Sequence, residues 1–317
     1  MKKTDMKIMY FGTPDFAVTV LKHVVESEFG KDVTSVVTRV DMPKNRGHNL
    51  TPPPVKVYAQ SVGIDVYQPE KLKTEEFKNW FNEKNPDLVL VAAYGKILPD
   101  YVVNGPKYGA INVHGSLLPY YRGAAPIERA IMDGKDELGV TIMKMDEGLD
   151  TGDMLAKATI SSFGLTGGEA EEQLAEIGGK LLVEYLKNPE KYPAEKQDMS
   201  VNSYAAKITE EDRIIDFNQS PQKIYNRIRA LVPSAPAYVK LNEQSVKLYE
   251  SRPAEDNPNG EPGTIHSLNA KGNGYIRVNC KDGTLDILSL VPPGKNKMSS
   301  GDFIRGRKIT ETDKFTN

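Results

Sequence analysis

Across 317 residues the sequence holds a single cysteine, Cys280, a single tryptophan and only four histidines. One cysteine excludes an internal disulfide and any metal site built on several thiolates, and it suits a reducing compartment. Cys280 alternates with Ile276 and Val278, the pattern of core filling rather than of a nucleophile. No run of about 18 apolar residues exists to span a bilayer. The start, Met1-Lys2-Lys3-Thr4-Asp5, leads into a strand-like run without an apolar signal region or a small-residue cleavage site. The expectation is a soluble, cytoplasmic protein with no membrane contact. Familiar phosphate and hydrolase motifs are missing as well. The first strand-to-helix turn, Phe11-Gly12-Thr13-Pro14-Asp15-Phe16, lacks the glycines that bring a backbone against a pyrophosphate, which disfavours a nicotinamide-dependent dehydrogenase. There is no phosphate-binding lysine loop, no nucleophile elbow and no zinc-binding pair of histidines, so common nucleotide, serine-hydrolase and zincin chemistries are set aside.

An excess of either charge is also lacking, since 41 Lys and Arg meet 43 Asp and Glu for a net charge of −2. Such a balance argues against a surface coated in positive potential for nucleic acid. The halves differ slightly: residues 207 to 317 hold 17 basic against 14 acidic side chains, and residues 1 to 206 hold 24 against 29. That difference permits RNA binding by the rear half without demonstrating it.

The length suits two domains, each with a core of its own. The front half alternates strand and helix. Lys7 to Phe11 is apolar and ends at Gly12; Thr13-Pro14-Asp15 then predicts an N-cap, a proline at the first helical position and an acid in the first turn, with a helix from about Pro14 to Val25. Strands are predicted at Val33 to Thr38, Asp87 to Ala93, Ala110 to Val113 and Val140 to Met145, and helices at Val55 to Ser61, 75 to 84, Ala124 to Met132 and Gly168 to Leu186. The nearly continuous apolar run Leu88 to Ala93 reads as a strand covered on both faces. Alternation of this kind predicts a doubly wound, mostly parallel α/β domain over residues 1 to 187, with ligands beyond the carboxyl ends of the strands. Residues 188 to 207 are polar and proline-bearing and read as a linker. From 208 to 317 a short helix, Ser220 to Leu231, is followed by several short strands broken by Asn-Gly, Lys-Gly and Asp-Gly turns, which predicts a small β-barrel.

Of the four histidines, His23 lies on the first helix, His266 in a rear strand and His48 in a loop, where packing or surface roles are the favoured reading. His114 differs. In Ile111-Asn112-Val113-His114-Gly115 the amide of Asn112 and the imidazole of His114 are two apart on one strand and face the same way. At a carboxyl end they project into the crevice of a doubly wound fold, and an amide donor beside an imidazole suits a carbonyl that becomes an oxyanion under amine attack. A tight apolar turn follows, Ser116-Leu117-Leu118-Pro119-Tyr120-Tyr121-Arg122-Gly123. Further on, Met145-Asp146-Glu147-Gly148-Leu149-Asp150-Thr151-Gly152-Asp153 carries four carboxylates. Acids in a loop are usually solvated or capping; one directed at His114 would orient the imidazole and stabilise its charged form.

Asn112-Val113-His114-Gly115-Ser116-Leu117-Leu118-Pro119, Arg122-Gly123-Ala124-Ala125-Pro126-Ile127, and Gly139-Val140-Thr141-Ile142 leading to Leu149-Asp150-Thr151-Gly152-Asp153-Met154 closely resemble the folate-dependent formyltransferase superfamily. Phe11-Gly12-Thr13-Pro14-Asp15-Phe16-Ala17, Tyr204-Ala205, Lys207-Ile208 and Ile215-Asp216-Phe217 extend the likeness to nearly the whole chain, and the full set is similar to the branch that formylates the methionyl end of initiator tRNA. The resemblance implies a Rossmann-like catalytic domain and an OB-like rear barrel that contacts tRNA. It implies Asn112, His114 and Asp150 as the catalytic triad, Ser116, Leu117, Leu118 and Pro119 as a folate-binding segment, and Arg46 in a loop entering the acceptor arm. The implied donor is 10-formyltetrahydrofolate, with no metal, and the implied enzyme is a monomer. The sequence departs from the pattern at Leu231-Val232-Pro233-Ser234-Ala235-Pro236, where Asn-Pro-Trp-Pro is more usual, and at Met42, which replaces an arginine. Rival readings are a formyltransferase for a small amine such as an amino sugar, a noncatalytic RNA-binding protein, and a folate hydrolase.

Overall fold

The computed structural model describes residues 6–43, 50–306 and 309–317. The chain divides into two compact units. One comprises the chain up to Pro126 with Glu137–Ser161 and Glu171–Ala205; the other comprises Ile127–Asp136, Ser162–Ala170 and Ala206–Asn317. Among the described residues no helix is long and apolar enough to cross a membrane.

The front of the chain runs β1 (Ile8–Gly12), α1 (Asp15–Val25), β2 (Val33–Val37), β3 (Met42–Pro43), β4 (Leu50–Thr51), α2 (Pro54–Ser61), β5 (Asp65–Tyr67), α3 (Glu75–Lys84), β6 (Leu88–Ala92), α4 (Asp100–Val103) and β7 (Ala110–His114). It continues through β8 (Arg122–Gly123), α5 (Pro126–Met132), β9 (Glu137–Lys144), β10 (Met154–Ser161), α6 (Gly167–Lys187) and β11 (Tyr204–Ala205). The main sheet has the order β10-β9-β7-β6-β1-β2-β5. Its strands are parallel from β5 to β7, after which β9 and β10 run antiparallel. The mostly parallel, doubly wound expectation is met.

Burial explains the order. Every residue of β1, β6 and β7 is buried, as continuous apolar strands in the middle of a two-faced sheet must be. Helix α1 turns Phe16, Ala17, Val20, Leu21 and Val24 inward, each large side chain contributing about 1.5–3 kcal/mol of transfer free energy. The cap of α1 differs from expectation. Pro14 itself occupies the N-cap with no side-chain cap bond, because the Thr13 hydroxyl is engaged elsewhere, donating to Tyr94 O at 3.2 Å. No strand is expected at β10, whose inward residues Met154, Ala156, Ala158 and Ile160 alternate with more exposed ones but include two alanines of little β-propensity.

The rear of the chain adds α7 (Glu210–Arg213), α8 (Pro221–Leu231), β12 (Tyr238–Leu241), β13 (Gln244–Ala254), β14 (Ile265–Asn269), β15 (Tyr275–Asn279), β16 (Thr284–Val291), β17 (Met298–Ser299), α9 (Ser300–Gly306) and β18 (Phe315–Thr316). The antiparallel sheet β14-β15-β16-β13-β12-β18 curls until its edges meet. An isolated bridge joins Thr264 to Lys314, and Phe315 N–H donates to Gly263 O at 2.9 Å. Gly263 is required there: its φ is +89°, and a Cβ would lie 2.5 Å from Phe315 O. The interior is filled by Val239, Leu241, Val246, Leu248, Ile276, Val278, Leu285 and Ile287. This near-closed barrel is consistent with the OB-like expectation. Cys280 belongs to the same core, and burial pushes its thiol up to about 12, in keeping with an inert packing role. The atypical Leu231–Pro236 segment packs with its neighbours: Leu231 is buried, and Gly168 N–H donates to Val232 O at 2.9 Å.

Helix α6 lies close under β7 and β9. A Cβ on Gly178 would sit 2.9 Å from Val113 Cγ1 and 3.1 Å from Val140 Cγ2. Replacing a mid-helix glycine gains about 1 kcal/mol of propensity, but overpacking a filled core costs about 1–3 kcal/mol, more for a long side chain. Gly178→Leu is therefore expected to destabilise the front unit by about 2 kcal/mol or more, read as a lowered urea midpoint; an unchanged midpoint would show that the helix is not held against the sheet.

Candidate functional site

Asn112 and His114 occupy the carboxyl end of β7 and face the same way across one intervening residue. In the antiparallel register Asn112 stands opposite Met143 and His114 opposite Thr141 of β9. Both are nearly buried, at 9% and 6% exposure. No side chain or backbone group among the described residues hydrogen-bonds to the Asn112 amide, which is not among the fully buried unpartnered atoms and so keeps an open side. His114 is held on both sides. Its Nε2 lies 3.0 Å from Tyr121 O, and since a carbonyl only accepts, Nε2 carries the proton. Its Nδ1 faces Asp150 Oδ2 at 3.8 Å, an ionic approach too long for a hydrogen bond.

Asp150 comes from the loop between β9 and β10. Its backbone is left-handed, with φ +51°, a conformation that aspartate tolerates better than most side chains. Oδ2 accepts from Gly123 N–H at 2.9 Å, and Oδ1 has no partner among the described residues. The loop is built on its own acids and glycines. Asp146 Oδ1 accepts from Gly148 N–H and the Thr151 hydroxyl at 3.0 and 2.7 Å, and a Cβ on Gly152 would lie 1.8 Å from Lys144 O. Asp146 is thus a loop cap, while Asp150 alone of the four loop acids pairs with His114.

The turn after His114 is folded by Thr141, which is fully buried. The Thr141 hydroxyl donates to Ser116 O at 2.6 Å and accepts from Leu118 N–H at 3.1 Å. Ser116 Oγ donates to Tyr120 O at 2.7 Å. Within the Ser116 to Pro119 segment, Leu118 turns into a small cluster with Met143 and Met154, whereas Leu117 and Pro119 keep partial exposure. Tyr121 is left-handed, with φ +58°. Ser203 straps it: its Oγ accepts from Tyr121 N–H at 2.8 Å and its carbonyl from Arg122 N–H at 2.9 Å. Strands β8 and β11 extend this pairing in parallel from Arg122–Gly123 to Tyr204–Ala205.

The structure therefore brings Asn112, His114, Asp150 and the Ser116 to Pro119 turn to one rim. Arg46, like His48, lies outside the described residues. His23 pairs with Glu176 at 2.9 Å, away from this rim in role and chemistry. Thr141 and Arg122 stand in the quoted motifs without a role of their own, and Gln197 and Ser203 were given none. Thr141 looks like an ordinary β-branched strand residue, and the last two lie in the polar stretch read as a linker, so no periodicity marked them. In the second unit a cleft of about 1130 Å³ is lined by Arg129, Lys135, Lys223, Arg227 and Arg229, by the acids Asp133, Asp136 and Asp212, and by Phe163 among others.

Comparison with known proteins gives the family. The Formyl transferase family matches residues 6–186, and the Formyl transferase, C-terminal domain family matches residues 207–308. The chain belongs to the formyl transferase family. Relatives matching nearly its full length are named methionyl-tRNA formyltransferase: that of Marinobacter nauticus is 43% identical over 306 residues, covering 96% of this chain and 97% of the relative. That of Caldicellulosiruptor saccharolyticus is 43% identical over 315 residues, covering 97% and 99%. It is with these methionyl-tRNA formyltransferases that the chain groups. The fold is shared with HypX from Aquifex aeolicus in complex with tetrahydrofolic acid, at a TM-score of 0.61 and 18% identity over 95% of this chain and 47% of that one.

Thr141 gives a test of how the rim is built. Thr141→Val keeps the volume but leaves Ser116 O and Leu118 N–H buried without their partner, which is expected to cost about 1–3 kcal/mol in urea unfolding. Thr141→Ser, which keeps the hydroxyl, is expected to lose clearly less; equal losses would show that packing and not hydrogen bonding holds the turn.

Proposed function

We propose that this chain transfers the formyl group of 10-formyltetrahydrofolate to the α-amino group of methionyl-initiator tRNA, in the service of translation initiation. The observation that carries the reading is the Asn112, His114 and Asp150 rim, in which the Asn112 amide has no partner among the described residues and one carboxylate oxygen is left open. Likeness over the full chain to methionyl-tRNA formyltransferases supports the acceptor.

In this reading the neutral amine attacks the formyl carbon, and the carbonyl oxygen becomes the oxyanion of a tetrahedral intermediate. Asn112 donates to that oxygen. His114 has committed Nε2 to Tyr121 O, so Nδ1, with the Asp150 carboxylate 3.8 Å away, is the ring nitrogen left to address the oxyanion, as a donor when it carries a proton. The amine loses a proton as the C–N bond forms. Asp150 Oδ1 is placed to accept it, directly or through water, before it passes to the departing N10 as the formyl carbon to N10 bond breaks. No covalent enzyme intermediate is required. The Ser116 to Pro119 segment forms the folate wall, Leu117 and Pro119 offering their surface and Leu118 bracing them from the core.

Residues 1 to 187 are assigned to catalysis, 188 to 207 to a linker and 208 to 317 to tRNA contact. Lys223 and Arg227 on the second unit's cleft lie in the segment assigned to tRNA, and Lys135 and the exposed Phe163 stand beside them; phosphate neutralisation and base stacking are how single strands are held. Arg46 is proposed as an acceptor-arm contact on the resemblance alone. A cytoplasmic monomer completes the reading.

Removing one oxyanion donor typically costs about 100- to 1000-fold in rate. Asn112→Ala is expected to lose turnover on that scale, measured as N-formylmethionine released from charged initiator tRNA, with its urea midpoint kept. Near-normal turnover would falsify the assignment. Arg46→Ala is expected to lower kcat/KM for tRNA while sparing the slow hydrolysis of 10-formyltetrahydrofolate, and tRNA binding is expected to weaken with salt in proportion to phosphate contacts. Equal loss of both activities would assign Arg46 to folate or to folding.

A further inference from the structure

The polar stretch after α6 returns to the rim, and one of its side chains is buried there. Gln197 is 8% exposed. Its Nε2 donates to Asp150 O at 2.9 Å and to Gly152 O at 2.7 Å. Its Oε1 accepts from Arg122 Nε at 3.0 Å and Arg122 Nη2 at 2.6 Å. A carboxamide offers two N–H donors and two lone pairs, and all four are used.

We infer that Gln197 is a positioning residue for the formyl-transfer reaction, fixing Asp150 from behind by clamping its carbonyl to Arg122. This inference rests on the reading of Asp150 as the proton acceptor. Asp150 has two anchors, and Gln197 governs both. The first is its own carbonyl, held by Nε2, which keeps the residue at φ +51°. The second is Gly123 N–H, which holds the carboxylate and directly follows the arginine that Oε1 grips. One neutral side chain therefore sets the separation between the acid's backbone and the amide that orients its carboxylate.

The rest of the loop cannot take over this task. Gly152 is pressed against Lys144 O so closely that no Cβ fits, which pins the far side of the loop to β9. Freedom released by losing Gln197 is thus concentrated at Asp150. Arg122, 6% exposed, makes no ion pair among the described residues; besides Gln197 its guanidinium meets only Met199 Sδ, at 3.2 Å. Chemistry restricts the replacement. Glutamate keeps the acceptor for Arg122 but sets a carboxylate oxygen against two carbonyl oxygens. Methionine fills the volume and serves neither side. Asparagine keeps the carboxamide but falls one methylene short.

The test is a double-mutant cycle in the full-length chain, with formyl transfer to charged initiator tRNA and thermal melting both measured. A misplacement near 1 Å can cost about 100-fold, so Gln197→Glu is expected to lower kcat by about 10- to 100-fold with both KM values within about 2-fold. Placed on Asp150→Ala, the same substitution is expected to cost less than about 2-fold more, because residues acting as one unit are not additive. Equal fold-losses in the two backgrounds overturn the inference, since a merely structural residue lowers the active fraction in both. So does a wild-type kcat, or a loss confined to KM. If Gln197→Glu does not fold, Gln197→Asn carries the same cycle with the same outcomes. The underlying reading fails separately: near-normal turnover by Asp150→Ala removes Asp150 from the chemistry whatever Gln197 does.

Discussion

The site depends on one constraint, the anchoring of Asp150 to the turn that follows His114. Gly123 N–H holds its carboxylate, and the same turn supplies the Tyr121 carbonyl that takes the His114 Nε2 proton. The imidazole and the acid are thus referred to a single stretch of backbone rather than to each other. Their 3.8 Å separation follows from this arrangement. A direct hydrogen bond to Asp150 would occupy the Nδ1 position that faces the oxyanion, whereas the longer approach leaves it open.

That stretch of backbone is itself unfavourable. A tyrosine in the left-handed region is a genuine outlier, and such conformations survive where neighbours over-determine them. Here the neighbours are Ser203 on both flanks of Tyr121 and the pairing of β8 with β11. Beneath, the fully buried Thr141 ties the two ends of the Ser116 to Leu118 segment. Neutral hydrogen bonds do nearly all of this work. A buried ion pair has to recover a desolvation penalty before it stabilises anything, and among the described residues of this rim the one approach at ion-pair distance is that of Asp150 to His114, the pair proposed to take part in the chemistry.

Much of this was legible in the residues. Continuous apolar runs announced the central strands, and the i, i+2 placement of Asn112 and His114 at a strand end announced a site, because period-2 geometry fixes which way side chains point. The resemblance then singled out Asp150 from four loop acids; in the structure Asp146 caps the loop and Asp150 approaches His114. What periodicity could not show were contacts between distant stretches. Nothing in the spacing around Gln197 says that it meets Arg122, and no pattern distinguishes Thr141 from its strand neighbours. The cap of α1 was misread for a similar reason: Thr13 had the right chemistry for its local task but found a partner at Tyr94, far along the chain.

The second compact unit gathers Ile127–Asp136 and Ser162–Ala170 with the barrel. Arg129 clasps Asp212 through both guanidinium nitrogens at 2.6 Å, and Arg229 is satisfied by the carbonyls of Ser162 and Leu165 at 2.9 and 2.8 Å. A border drawn once along the sequence is therefore not a border in space. Exchange of the rear segment alone would break the Arg129 clasp unless the incoming segment carried an acid where Asp212 stands, so the two stretches are not separable modules.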